Sequence, residues 1–308
     1  MKLFEPIKIG QMELKNRIIM PAIGTGYGNE MGFSTERLKE YLQERARGGA
    51  ALIIVECTCI DSDKFILGLY ELTEAIHEFG AKIALQLHHA GRLADPSVNG
   101  GVTSVSASRI LGYSGISGKE VMARELREDE IDDLVEKFAQ GVGRAKQAGF
   151  DAVEFHGAHG FLIAQFLSPF TNHRTDKYGK DLKGKMRFAL EIVRRSKEIA
   201  GKDFPLIFRI SADEYLPGGL TLEETREICQ ELEKAGIDVL HISAGDGDES
   251  PWIKSGIMPG AIAPGCLVHF AEQIKKVVHV PLILIGDCLQ PKSLYAAIHD
   301  GYRVGREV

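Results

Sequence analysis

Several features that define other classes of protein are missing from this sequence. There is no basic excess, because 37 lysines and arginines stand against 43 aspartates and glutamates, a net charge of −6. A nucleic-acid partner is therefore not expected, since nothing neutralises its phosphates. No apolar run is long enough to cross a bilayer, and the first ten residues lack the core of a signal peptide. We expect a cytoplasmic protein without membrane association.

The sequence is also poor in cysteine. It has five, an odd number at irregular spacing, so no disulfide framework is expected. Cys57 and Cys59 are too close together for the usual Cys-x-x-Cys zinc knuckle, and we interpret them as buried thiols on a strand. No metal site is predicted. The strand ends also carry no obvious nucleophile–base pair and no carboxylate dyad.

What the sequence does contain is an alternation of strands and helices. Short apolar runs predict strands at 17–20, 51–56, 82–87, 151–155, 205–210, 238–243 and 281–286. Helices are predicted at 34–49, capped by Ser34 or Thr35, and at 69–80, 127–149, 182–201, 221–236, 266–278 and 290–301. Residues 95–125 are rich in Gly and Ser and are predicted as a long insertion loop. The alternation predicts an α/β fold with a parallel sheet, and 308 residues suffice for one (β/α)8 barrel. The pattern stops one strand short of eight.

The residues at the strand ends have a chemical theme. Gln86 lies near the end of the third strand, Arg209 near the end of the fifth, and His156 and His159 at or after the end of the fourth. In a barrel of this type the site lies at the carboxyl ends of the strands. An amide, an arginine and a histidine pair suit a large planar cofactor that does the chemistry itself. The amide and the arginine can hydrogen-bond the pyrimidine edge of a flavin, and the arginine would stabilise negative charge on the reduced ring.

Each of these residues has another interpretation. Gln86 is equally well explained as a satisfied amide inside the barrel, and Arg209 as a structural bridge to Glu154. His156 and His159 have the spacing of a zinc pair, but zinc sites usually place that spacing on a helix and add a third ligand.

Four long segments carry a family resemblance. LFEPIKIGQMELKNRIIMPA (3–22), QLHHAGR (86–92), the stretch 149–179 around EFHGAHGF, and PLIFRISADE (205–214) follow one another in the family's order. They resemble the barrel of Old Yellow Enzyme-type NADH:flavin oxidoreductases, in particular the 2,4-dienoyl-CoA reductase and 2-enoate reductase group. The resemblance implies a TIM-type barrel whose floor is covered by an N-terminal hairpin.

The resemblance also implies a reaction and a set of roles. Non-covalent FMN takes hydride from NAD(P)H and passes it to an activated C=C bond of a small-molecule enoate, enone or dienoyl-CoA. By position, Ala22, Thr25 and Cys57 would line the isoalloxazine, Gln86 and Arg209 would hold its pyrimidine edge, Gly286 would join the cofactor-binding set, and His156 and His159 would bind the substrate carbonyl.

The chain departs from the family pattern in three places. Phe161 stands where the family usually has a tyrosine proton donor, and Tyr27 is the substitute we expect. Gly24 stands where the family often has cysteine or threonine. Residues 284–308 resemble the last segment of an FAD/NAD(P)-binding domain, which predicts an FMN barrel over 1–283 with its eighth strand missing or replaced.

The unusual end of the chain leaves alternatives open. An iron–sulfur cluster and the FAD of larger relatives are not expected here. The chain could be a truncated, catalytically impaired remnant with weak or no flavin binding, or a flavin-free binding protein. Because open sheet edges invite pairing with another chain, a homo-oligomer is also expected.

Overall fold

The computed structural model describes residues 2–29, 33–60, 66–97, 99–113, 117, 119–246 and 267–284. A 3-10 turn at Lys2–Phe4 leads into a hairpin of β1 (Ile7–Ile9) and β2 (Met12–Leu14). The strands pair antiparallel, with Ile9 opposite Met12. Gly10, in the turn, has φ 56°, a left-handed conformation that glycine adopts without strain.

Seven parallel strands form the main sheet, as the apolar runs predict. They are β3 (Ile19–Met20), β4 (Leu52–Cys59), β5 (Lys82–His88), β9 (Ala152–Gly157), β10 (Leu206–Ser211), β11 (Val239–Ser243) and β12 (Leu282–Leu284). Their order in the sheet is β12-β11-β10-β9-β5-β4-β3. The order follows the chain, so each strand lies beside the strand that precedes it in this sheet.

The sheet curls into a nearly closed barrel. One cluster of contacting apolar residues contains at least one residue on or beside each strand of the sheet. Its members include Ala84, Ile207 and Ile283 together with Ile9 and Leu14 of the hairpin. A flat sheet could not bring its two edges into one such cluster. The hairpin therefore covers the floor of the barrel, as expected.

The helices pack around the outside. They are α1 (Glu36–Arg47), α2 (Ile66–His77), α3 (Glu128–Gln147), α4 (Leu162–Leu167), α5 (Leu182–Ala200), α6 (Leu222–Ala235) and α7 (Val268–Lys275). Thr35, not Ser34, caps α1 by accepting a hydrogen bond from the Leu38 amide at 3.3 Å. A capping box of Thr221 and Glu224 starts α6.

Residues 95–125 are not simply a loop, which corrects the prediction. They contain β6 (Val105–Ser106), β7 (Ile110–Tyr113) and β8 (Glu120–Glu125) in a separate three-stranded sheet of order β6-β8-β7. Only Ala123 of β8 is buried, so the strand lacks the alternation of apolar and polar residues by which strands are predicted. A 3-10 turn at Gly91–Leu93 joins this sheet to the barrel.

The barrel has two edges in the described part of the chain. There, β3 pairs only with β4 and β12 only with β11. The predicted helix at 290–301, Gly286 and the remaining residues of the segment 285–308 lie outside the described residues.

Candidate active site

Three buried polar side chains meet in the barrel interior. Gln86 on β5 lies opposite Glu154 on β9 in the parallel register, and its Nε2 donates to Oε1 of Glu154 at 2.6 Å. Nδ1 of His241 on β11 lies 2.5 Å from the other carboxylate oxygen, Oε2. All three side chains are fully buried. Each oxygen of the carboxylate thus has its own partner, which offsets the cost of burying a charge.

The Glu154–His241 pair is a carboxylate beside a neutral imidazole. Burial raises the pKa of Glu154, but His241, Arg209 and Gln86 together outweigh it, so the pKa lies below its ordinary value. Burial lowers the pKa of His241, against the opposing influence of Glu154. We therefore assign the proton to Nδ1 of the neutral ring, which donates it to Glu154.

Arg209 lies beside this trio on β10. It is the register partner of His156 on one side and of His241 on the other, and only 8% of the residue is exposed. Its Nη1 donates to the Ala22 carbonyl at 3.3 Å. Its Nε is buried without a hydrogen-bond partner in the described part of the chain. The structural bridge to Glu154 considered above does not form as an ion pair, because Glu154 bonds to Gln86 and His241 instead.

The mouth of the barrel beside Gln86 is formed by the ends of β3 and β4. Cys57 donates from Sγ to Oε1 of Gln86 at 3.1 Å. Cys57 and Cys59 are both exposed, so the prediction of buried thiols is wrong, because the end of β4 lies at the open mouth. The surrounding protein still desolvates the Cys57 thiol enough to raise its pKa to about 11, which keeps it a neutral donor. Thr25 is held by Glu56, which accepts from the Thr25 hydroxyl at 3.0 Å and from its backbone amide.

His156 and His159 lie together at the end of β9. Their ring centroids are 5.1 Å apart and nearly perpendicular. Burial lowers the pKa of each well below its ordinary value, and Arg209 adds to the effect, so both rings are neutral. Nδ1 of His156 accepts from the Ala158 amide at 3.4 Å, which leaves its proton on Nε2.

The backbone turn after β9 orients the second histidine. His159 has φ 58°, a left-handed conformation that is uncommon outside glycine. Its amide donates to Oγ of Ser211 at 3.1 Å, and its Nε2 lies 2.6 Å from Oγ of Ser243. At Gly160 a Cβ would lie 1.9 Å from Oδ1 of Asp246, so only glycine fits. These serines from β10 and β11 were not anticipated, because they act across strands that are distant in sequence.

Comparison with known proteins places this architecture in a family. The model of the NADH:flavin oxidoreductase / NADH oxidase family matches residues 2–303. The chain belongs to this family. It is 43% identical to the NADH oxidase of Thermoanaerobacter brockii, over 97% of this chain and 47% of that protein. It is 35% identical to the cinnamate reductase of Clostridium sporogenes, over 97% of this chain and 49% of that protein.

A solved structure supports the fold. The Old Yellow Enzyme homologue from Zymomonas mobilis superposes with a TM-score of 0.79 at 28% identity, over 98% of this chain and 86% of that one. The chain spans just under half the length of the two relatives named above. The resemblance to Old Yellow Enzyme-type oxidoreductases is therefore confirmed at the level of family and fold.

Phe161, where the family usually has tyrosine, sits among imidazole rings. Its ring centroid is 4.6 Å from that of His156 and 4.4 Å from that of His88, both edge-on. Burial lowers the pKa of His88 to about 4, and its Nε2 has no hydrogen-bond partner within the described ranges. At this position the chain thus has an apolar ring between two neutral histidines.

Tyr27, the predicted substitute for that hydroxyl, packs against α1. Its ring lies edge-on to Tyr41 at 5.5 Å, and the guanidinium of Arg37 lies 3.9 Å above it. Its backbone carbonyl accepts from Oγ1 of Thr35 at 2.5 Å. These contacts fix the ring beside the start of α1, and none of them joins it to the histidine pair.

The rim above the site is held by buried charges that sequence reasoning did not place. Arg92 is 1% exposed, and its Nη2 lies 3.3 Å from Oδ1 of Asp246. Glu214 is also 1% exposed and accepts from Oγ of Ser168 and from the Leu220 amide, both at 2.6 Å. Burial, followed by the nearby Asp246, raises the pKa of Glu214 to about 7.

Among the residues that the structure describes, no group of three or more His, Cys, Asp and Glu side chains is arranged to hold a metal ion. Within the same residues, no helix combines the length and apolarity needed to cross a membrane.

Proposed function

We propose that the chain is the FMN-binding barrel of an NAD(P)H-dependent oxidoreductase that reduces activated C=C bonds. Family membership supports the flavin and the nicotinamide. The observation that carries the proposal is Arg209, whose buried Nε has no acceptor among the described residues although buried guanidinium donors are normally satisfied. The pyrimidine edge of a flavin offers such acceptors.

The remaining residues fit the same group. Gln86 would hold the pyrimidine edge together with Arg209, while Ala22, Thr25 and Cys57 at the ends of β3 and β4 would line the ring. The bond from Arg209 to the Ala22 carbonyl and the bond from Cys57 to Gln86 join these two subsets into one surface. Bound FMN would supply two-electron hydride chemistry that no side chain provides. Gly286 remains a proposed member of the set.

His156 and His159 would act on the substrate. Because both rings are neutral, each carries one N–H, and that of His156 is on Nε2. The N–H of His159 is available to the substrate when it is on Nδ1 and Oγ of Ser243 donates to Nε2. A carbonyl oxygen gains negative charge as hydride reaches the β-carbon, and donors placed for that charge lower the barrier. Tyr27 remains our proposed source of the proton for the α-carbon. We expect a small α,β-unsaturated acid, ketone or thioester, in keeping with the similarity to a cinnamate reductase.

One observation favours an impaired remnant as the alternative. The described edges of β3 and β12 are not paired with each other, whereas barrels of this family close with an eighth strand. The division into a barrel over 1–283 and a different segment over 284–308 remains a proposal. If that segment does not close the barrel, FMN binding should be weak and self-association should increase.

Flavin titration of the purified protein tests the proposal. We expect a yellow protein that binds FMN and reduces cinnamate with NADH or NADPH. A second version, given a full eighth strand ending in Gly-Arg, separates the alternatives when FMN affinity and solution mass are measured on both. If the second version binds FMN more tightly than the original chain does, that result would support the impaired remnant. No FMN binding by either would refute the proposed function.

A further inference from the structure

The side-chain amide of Gln86 is held at both ends. Its nitrogen donates to Oε1 of Glu154 at 2.6 Å, and its oxygen accepts from the Cys57 thiol at 3.1 Å. Gln86 and Glu154 are fully buried, whereas Cys57 is exposed at the mouth. The amide therefore has a defined inner end and a defined outer end.

The chemistry of Glu154 determines whether the nitrogen or the oxygen of the Gln86 amide faces the barrel interior. An ionised carboxylate can only accept hydrogen bonds, so a buried amide beside it must present its NH2 group. The second oxygen of Glu154 is already engaged by Nδ1 of His241 at 2.5 Å, so the carboxylate cannot turn away without losing that bond. Reversing the Gln86 amide would place two acceptor oxygens together in the barrel interior, at the cost of an unsatisfied buried pair.

We infer that Glu154 is a positioning residue that locks the Gln86 amide with its oxygen toward the mouth, so that the site offers an acceptor to an imide N–H. The inference rests on the proposed function, in which the imide is the N3–H of FMN. The carbonyl oxygen has two lone pairs and can accept from that N–H while Cys57 remains in place. Arg209 supplies the donors on the same edge, which gives the alternation of donor and acceptor that a pyrimidine edge requires.

The orientation can be measured without flavin. In NMR spectra of protein labelled with 15N-glutamine, the signal of the Gln86 side-chain amide is the one that disappears in the Gln86→Leu variant. In the parent, we expect the proton of this side-chain N–H to have a downfield chemical shift and to exchange slowly with water. In Glu154→Gln, whose new amide can donate as well as accept, we expect the shift to move upfield and the exchange to become faster. Glu136→Gln, which alters a half-exposed carboxylate on α3, is the matched control and should leave the signal unchanged. A fast-exchanging Gln86 amide in the parent would overturn the inference.

The functional consequence is a preference for FMN over N3-methyl-FMN. The methyl compound loses the bond to the Gln86 oxygen, and one such bond corresponds to roughly tenfold in affinity. We expect the parent and Glu136→Gln to prefer FMN by at least about tenfold, and Glu154→Gln to lose most of that preference. Because Glu154 acts through Gln86, adding Glu154→Gln to Gln86→Leu should change the preference no further.

The outcomes separate this inference from the proposed function. Glu154→Asp keeps an acceptor-only carboxylate and should keep the preference, which provides a second test if Glu154→Gln folds poorly. If the role of Glu154 is purely structural, Glu154→Gln should lower the unfolding midpoint without changing the preference for FMN over N3-methyl-FMN. That result would overturn the inference. If the parent binds no flavin but its Gln86 amide behaves as expected, the proposed function fails while the orientation stands.

Discussion

The floor and the mouth of this barrel are built from the same strands but have opposite chemistry. On β4, β5 and β10, the floor contributes Leu52, Ala84 and Ile207, which pack on the hairpin. Only two residues further along β5 and β10, the interior positions are Gln86 and Arg209. Alternate residues of a strand point to the same side of the sheet. Successive interior positions of one strand therefore contribute first to the apolar floor and then to the polar mouth. The floor should therefore govern stability and the mouth should govern ligand binding.

The largest expected effect is at the mouth. His156→Ala combined with His159→Ala should lower the rate of alkene reduction by at least ~10²–10³, because each removes a donor to a carbonyl oxygen. FMN content should remain near that of the parent. His279→Ala, on an exposed ring, is the matched control for steady-state kinetics. An unchanged rate in the double variant would assign the pair a structural role.

The matching change at the floor should have the opposite profile. Leu52→Ala removes a fully buried side chain from the apolar plug and should lower the free energy of unfolding by ~2–5 kcal/mol. Chemical denaturation measures this loss, and flavin titration of the folded variant should give the parent's affinity. A large change in FMN affinity would break the division between floor and mouth.

Arg209→Ala should affect binding more than folding. It removes charged donors from the proposed pyrimidine edge, and hydrogen bonds to charged groups correspond to about 10–100-fold in affinity. Flavin titration measures the effect, with Arg195→Ala on the outer surface of α5 as the control. Wild-type flavin affinity together with a lowered unfolding midpoint would show that Arg209 is structural.

The smallest expected effect concerns the rim. The folded pKa of Glu214, about 7, lies above its ordinary value of 4.5, so the folded state binds the proton more tightly. Its contribution to stability is therefore fully present below pH ~4.5 and is lost as the pH rises through about 7. We expect a loss on the order of 1–3 kcal/mol across that window. Denaturation curves at several pH values should show this slope in the parent and a weaker one in Glu214→Gln; equal slopes would contradict the assignment.

The sequence predicted the strands of the barrel well, because buried parallel strands leave continuous apolar runs such as 51–56 and 82–87. It did not predict the sheet of β6, β7 and β8, in which only Ser106, Gly112 and Ala123 are buried. The strand-end residues Gln86, Arg209 and His156 could be grouped from the sequence as candidates, because parallel strands bring their carboxyl ends together. The contacts of His241 with Glu154 and of Ser243 with His159 were not predicted, because they form only when β11 is placed beside β10.

The hairpin on the floor has a consequence for the order of folding. Residues 7–14 are made early, yet the surfaces they cover include Val239 and Ile283, which are more than two hundred residues further along the chain. Contacts of such long sequence separation close late, because the entropy of the intervening loop must be lost first. Until β12 has been synthesised, Ile9 and Leu14 lack part of the cluster that buries them. The hairpin can therefore be fully buried only after β12 has taken its place in the sheet. A shorter, incomplete chain should leave the hairpin exposed to chaperones and proteases.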